Sequence, residues 1–209
     1  MPYALSQPIQ TRRLALRSIE SNDLDALFEI HQSATVTRYI THMHWPTRAA
    51  ADTWFARVLQ RRADQSAIQC VVVLRAEEPV DEIVIGTAML FNFDASSALA
   101  EIGYLLGEAY WAKGYMVEAL NALINTAFNE LGLRRLEATV DTRNVASNAL
   151  LLKLGFALEG CLRQRWVSAG ETPDVNMFGL LKSDWLRRES KSIVDANDRQ
   201  FSDGDVHRL

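Results

Sequence analysis

Glu101-Ile102-Gly103-Tyr104-Leu105-Leu106-Gly107, then Trp111-Ala112-Lys113-Gly114-Tyr115-Met116, then Leu120, Leu123, Ile124, Ala127, Phe128 and Leu131 make up the stretch whose reading decides the fold. Ile102 to Leu106 is an apolar run of strand length, closed by Gly107. The later apolar residues recur at i, i+3, i+4 and i+7, the rhythm of a long helix with one buried face. Between the two, the chain enters the helix N-terminus, where unpaired N–H groups and the macrodipole favour an anion. Gly114 lets a ligand approach the main chain, and Lys113 adds a cation. The turn suits a phosphate or pyrophosphate, and equally a plain crossover tightened by glycine. It matches neither G-x-x-x-x-G-K-[ST] nor G-x-G-x-x-G, which argues against a nucleoside triphosphatase.

Upstream, Thr11-Arg12-Arg13-Leu14-Ala15-Leu16-Arg17 alternates charged and apolar residues, the pattern of a half-buried strand. Asn22, with Asp25 three residues on, reads as the cap of a helix bearing Leu24, Leu27, Phe28 and His31 on one face. On that stripe His31 reads as a packed histidine. His42, His44 and Trp45 gather before a helix that starts at Thr47 and packs through Trp54, Phe55, Val58 and Leu59. His-x-His without a third ligand at a recognisable spacing predicts no metal; a substrate-pocket wall and an ordinary aromatic loop both stay open. Residues 68–74 and 83–93 read as strands joined by a charged loop containing Pro79.

Downstream, Gly132 closes the long helix and residues 136–140 alternate as a strand. Ser147 reads as the cap of a short helix bearing Leu150, Leu151 and Leu154, which Gly155 ends in the left-handed conformation. Residues 160–167 and 175–181 read as closing strands. This order predicts a mixed α/β layer with a largely antiparallel sheet and one crossover near the middle. Residues 1–186 form the expected domain, and 187–209, sparse in apolar residues, a polar tail. Asp203-Gly204-Asp205 lacks the rest of a calcium loop.

The chain has 209 residues, 48% of them apolar, which is enough for one domain with a full core. Its net charge of -4 argues against a nucleic-acid partner, which calls for a basic face. No signal peptide and no apolar run of spanning length is evident, so no membrane partner is expected. Cys70 and Cys161 lie in apolar runs without a C-x-x-C, and are expected as free buried thiols of a cytoplasmic protein.

T-R-R-L-A-L-R, E-I-G-Y, W-A-K-G-Y-M-V-E-A-L and N-V-A-S-N-A-L-L-L-K-L-G-F, in that order within residues 9–184, resemble the GNAT acetyltransferases. Within them they resemble the branch that includes the ribosomal-protein N-terminal acetyltransferases. The resemblance implies a central, mostly antiparallel twisted sheet of roughly six or seven strands flanked by about four helices. It also implies a V-shaped split between residues 98–106 and 136–140. Acetyl-coenzyme A is the implied co-substrate, with no metal. Its pyrophosphate would sit on Trp111, Ala112, Lys113, Gly114, Tyr115 and Met116, where Met116 replaces the family's small residue. Asn144 would bond the pantetheine arm, with Leu105, Leu106 and Lys153 completing the coenzyme set. Ser147 would stand near the sulfur, as a candidate to protonate the departing thiolate.

The implied reaction is attack of a primary amine, on a protein N-terminus or a small molecule, on the thioester carbonyl. Glu101 is the leading general base, at the strand position where several family members carry a catalytic glutamate; a structural carboxylate is the other reading. Backbone N–H groups around Leu105 would polarise the carbonyl. Glu118, early in the helix, reads more simply as a complement to its dipole. Arg163 and Arg165, with Trp166, line an acceptor pocket or form a solvated strand face; Arg165, His42, His44 and Trp45 are the candidate acceptor residues. A homodimer fits the family. The alternative function is a non-catalytic acyl-coenzyme A sensor, favoured if Glu101 points away from the groove and Ser147 is only a helix cap.

Overall fold

The computed structural model describes residues 3–5, 7–40, 44–75, 82–167, 170–188 and 190. The expected tail therefore lies almost wholly outside the described residues, as does His42. The strands are β1 (Ile9–Gln10), β2 (Leu14–Ser18), β3 (Ala67–Leu74), β4 (Ile83–Asp94), β5 (Leu99–Leu106), β6 (Arg135–Asp141), β7 (Ala157–Leu162) and β8 (Val175–Leu181). The helices are α1 (Leu24–His31), α2 (Ala34–Thr37), α3 (Arg48–Ala63), α4 (Tyr115–Asn125) and α5 (Val145–Leu154), and residues 182–188 are helical as well. One sheet of eight strands runs β1-β2-β3-β4-β5-β6-β8-β7. It exceeds the expected strand number because β1, only two residues long, pairs with β2.

Every pairing is antiparallel except β5 with β6. A parallel pair needs a crossover, and α4 supplies it. Ala100, Ile102, Leu136 and Ala138 pack under Met116, Leu120, Leu123 and Ile124 of α4 and Leu151 of α5. On the opposite face, Ala15, Val71 and Val73 meet Leu24 and Leu27 of α1 and Trp54 and Val58 of α3. Each fully buried Leu, Ile or Phe contributes roughly 1.5–3 kcal/mol. An exposed ion pair such as Arg48 with Asp25 is screened by solvent and adds little. The two apolar layers thus hold the fold.

Several local expectations shift. The turn before α1 is capped by a box between Glu20 and Asp23 rather than by Asn22, because Asp23 Oδ2 accepts the Glu20 N–H while Arg17 clamps the same carboxylate. The long helix widens into a π-turn at Thr126–Glu130, where the Leu131 N–H reaches Thr126 O at 3.0 Å. Asn144, not Ser147, caps α5, accepting the Ser147 N–H on its side chain at 3.1 Å. Gly155, with φ of 94°, ends α5 and releases the chain directly into β7. Cys161 is exposed, since every residue of β7 is exposed at this end of the sheet, whereas Cys70 is buried as expected. Among the described residues no helix is long and apolar enough to cross a membrane.

Candidate active site

β5 and β6 share only the pairs Leu99↔Arg135, Ala100↔Leu136 and Glu101↔Glu137. Past that point β5 stays bound to β4 as far as Gly86↔Leu106, and β6 to β8 as far as Asp141↔Val175. The two strands thus part after Glu101, and their inner edges expose main-chain donors and acceptors. Close packing at Gly86 holds β5 on β4. A Cβ there would strike the Leu105 carbonyl oxygen and come within 3.0 Å of Leu106 Cα.

The turn into α4 opens where the strands part. Ala112 and Gly114 are both left-handed, with φ of 58° and 77°, and Gly114 is the N-cap of α4. Alternating backbone of this kind turns successive N–H groups towards one point. Trp111 Nε1 donates to Leu106 O at 2.8 Å, tying the turn to the end of β5. Lys113 and Gly114 are exposed, and Tyr115 is half-buried. Met116 is turned into the core, so its bulk stays out of the turn. Arg13 is a functional candidate that the sequence reading passed over. Its Nη1 donates to Lys113 O at 3.1 Å, and Nη2 lies 3.5 Å from where a Gly114 Cβ would stand. Glu118 fixes it, accepting from Thr11 Oγ1, Arg13 N and Arg13 Nε, each at 2.7 Å. Burial pushes the Glu118 carboxyl up, but these bonds and the Arg13 charge outweigh it, and Glu118 ends below its ordinary range.

Across the split, Ser147 lies in the first turn of α5 with its hydroxyl free of capping. It meets the Tyr104 hydroxyl of β5 at 2.8 Å. Burial raises the Tyr104 phenol to about 12, against a smaller lowering by Ser147. Tyr104 is a second residue the sequence reading missed. Asn144 carries the cap, and Asn148 donates to Asp141 O at 3.1 Å and Asn144 O at 2.7 Å. Asp141 is buried and bound by Arg143 through Nη2 at 2.8 Å and the backbone N–H at 2.9 Å. The Arg143 hydrogen bond holds that carboxyl below its usual range. Asp141 therefore caps the turn into α5.

Ala100 and Ile102 face α4, so alternation places Glu101, Gly103 and Leu105 on the other face. There Leu105 packs with Ile30 and Val36 of the α1–α2 region. Glu101 is half-buried at the apex of the split and accepts from Asn92 Nδ2 at 2.9 Å. The acceptor candidates are dispersed. Trp45 is buried at 3% exposure, stacked on His31 with centroids 3.9 Å apart, so it belongs to the core beside α1 and α3. His44 and Arg165 are exposed, the latter donating its N–H to Pro173 O at 3.3 Å. Lys153 stands in the last turn of α5, exposed, its carbonyl accepting from Arg188 at 2.7 Å.

The profile of the GNAT acetyltransferase domain matches residues 13–157. An N-acetyltransferase called p20 from Bacillus licheniformis, described as uncharacterized, is 32% identical over 179 residues, covering 86% of this chain and 98% of that protein. The ribosomal-protein-serine acetyltransferase of Escherichia coli is 34% identical over 98 residues, covering 47% of this chain and 55% of that protein. A solved structure of a ribosomal L7/L12 alpha-N-protein acetyltransferase with coenzyme A has the same fold, with a TM-score of 0.73 at 22% identity, covering 84% of this chain and 98% of that one. The chain belongs to the GNAT acetyltransferases. It is an N-acetyltransferase dependent on acetyl-coenzyme A.

Proposed function

We propose that the protein moves acetyl from acetyl-coenzyme A directly to the primary amine of a protein N-terminus, with Glu101 as general base. The observation that carries this reading is the parting of β5 and β6 immediately after Glu101↔Glu137. Two amide-bearing edges there suit the pantetheine arm, and Glu101 stands at the end of the groove. Arg13, Lys113 and the N–H groups at 112–116 suit the pyrophosphate. The Leu105 carbonyl leans on Gly86 and the Leu106 carbonyl turns to Trp111. Strand alternation therefore aims the Leu106 N–H into the split, where it would polarise the thioester carbonyl.

In this reading Glu101 takes a proton from the ammonium, directly or through water, and the nitrogen lone pair attacks the carbonyl carbon. The C–N bond forms, the second N–H proton passes to water, and the C–S bond breaks as the tetrahedral intermediate collapses, the sulfur leaving as a thiolate that takes up a proton from water. Ser147 donates a hydrogen bond to the departing thiolate. Alignment of the two reactants supplies up to about 7–11 kcal/mol of the barrier reduction. The match to a relative named for ribosomal-protein serine acetylation supports an N-terminal acceptor. A sensor without turnover would use Ser147 only as a helix cap, and Asn144 already holds that position.

Free-thiol release from acetyl-coenzyme A, followed over small amines and peptides beginning with alanine or serine, tests the reading. Release that depends on the peptides is expected. Coenzyme binding without release across the whole panel would leave the sensor.

A further inference from the structure

We infer that Tyr104 is a positioning residue for the leaving group: its hydroxyl donates to Ser147 Oγ and so commits the single Ser147 proton to the coenzyme sulfur. The inference rests on the transferase reading above. The two hydroxyls are 2.8 Å apart, one from β5 and one from α5, so the bond bridges the strand–helix pair that flanks the split. A hydroxyl has one proton and two acceptor positions. Burial keeps the Tyr104 phenol protonated throughout the physiological range. The Ser147 backbone N–H is engaged by Asn144, so its hydroxyl is fixed by Tyr104 rather than by the helix end. With Tyr104 donating, Ser147 Oγ is polarised as acceptor and its own hydrogen points away from Tyr104. Along the groove, the negative charge that develops as the C–S bond breaks is the partner for that hydrogen. Tyr104 itself touches no reacting atom.

The test compares Tyr104→Phe with the wild type, using acetyl-coenzyme A and its selenoester analogue with one reactive peptide acceptor. The two donors present the same binding handle, but the selenol is the more acidic leaving group and needs less hydrogen-bond help. The expected result is a kcat loss of about tenfold with the thioester, an unchanged KM for the donor, and a loss of about twofold or less with the selenoester. Ser147→Ala should show the same donor dependence, and the double variant should lose little beyond either single one. Equal losses with both donors, or no loss with either, would overturn the inference while leaving the transferase standing. If Tyr104→Phe melts well below the wild type, the Ser147→Ala donor comparison decides, and a donor-independent loss there overturns it. A wild type that releases no thiol to any acceptor overturns the transferase reading, and this inference with it.

Discussion

Asn92 Nδ2 donates to Glu101 Oε1 at 2.9 Å from a β-bulge in which Asn92 itself has φ of 50°. Asparagine tolerates that left-handed backbone better than most residues, and the bulge turns its amide across to the next strand. Asn92→Gly keeps the backbone and removes the donor. The expected outcome is a melting temperature close to wild type and a kcat about fivefold lower. Glu101→Gln should cost roughly 10²–10⁴ in kcat with donor affinity nearly intact. Steady-state rates over a range of pH check both; an unchanged rate for Glu101→Gln at every pH removes Glu101 from the role of base.

Gly86→Ala places a methyl against the carbonyl of Leu105, on the strand that borders the split. Backbone cannot swing aside as a side chain does, so the variant should lose about 1–3 kcal/mol of stability. Its KM for acetyl-coenzyme A should rise, because β5 must shift. Chemical denaturation and donor titration measure the two effects. A variant with native values for both would show that the strands tolerate the displacement.

Glu118 ties Thr11 and Arg13 to α4, and its folded pKa lies below its ordinary 4.5. A depressed folded pKa stabilises at pH above the unfolded value and loses that contribution as pH falls through the folded one. Stability should therefore decline below about pH 4.5, and Glu118→Gln should flatten part of that decline. Urea midpoints at stepped pH for both proteins check this. Parallel curves would assign the acid sensitivity elsewhere, Asp141 with Arg143 being the next pair.

The two cysteines should behave differently. Cys161 is exposed, while burial pushes the Cys70 thiol up to about 12. An aromatic disulfide reagent should titrate one thiol in the native protein and two in denaturant. Two fast-reacting thiols under native conditions would mean that β3 opens readily.

The strand, turn and long helix from Glu101 are legible in the sequence because period 2, paired glycines and period 3.6 meet within one short stretch. The motifs that imply the coenzyme are legible for the same local reason. Contacts that depend on sheet order are not. Tyr104 and Ser147 are 43 residues apart, and Arg13 and Glu118 are 105 apart. Asn144 and Ser147 are both good caps three residues apart, and only the Tyr104 contact shows why the serine is spared. Thr126–Glu130 keeps an apolar face through its π-turn, so the helical rhythm hides the change of winding. Cys161 sits in an apolar-looking run, yet β7 is the last strand of the sheet and each of its residues is exposed.

Where β5 and β6 part, the surface that would grip the donor is main chain, and main chain does not mutate. Side chains facing the acceptor can drift one by one while the donor keeps its hold. A lineage built this way can be retargeted to new amines without relearning its acyl source. The same asymmetry guides engineering: substitutions for a new acceptor belong among exposed side chains, and the three paired rungs that set the angle should be left alone.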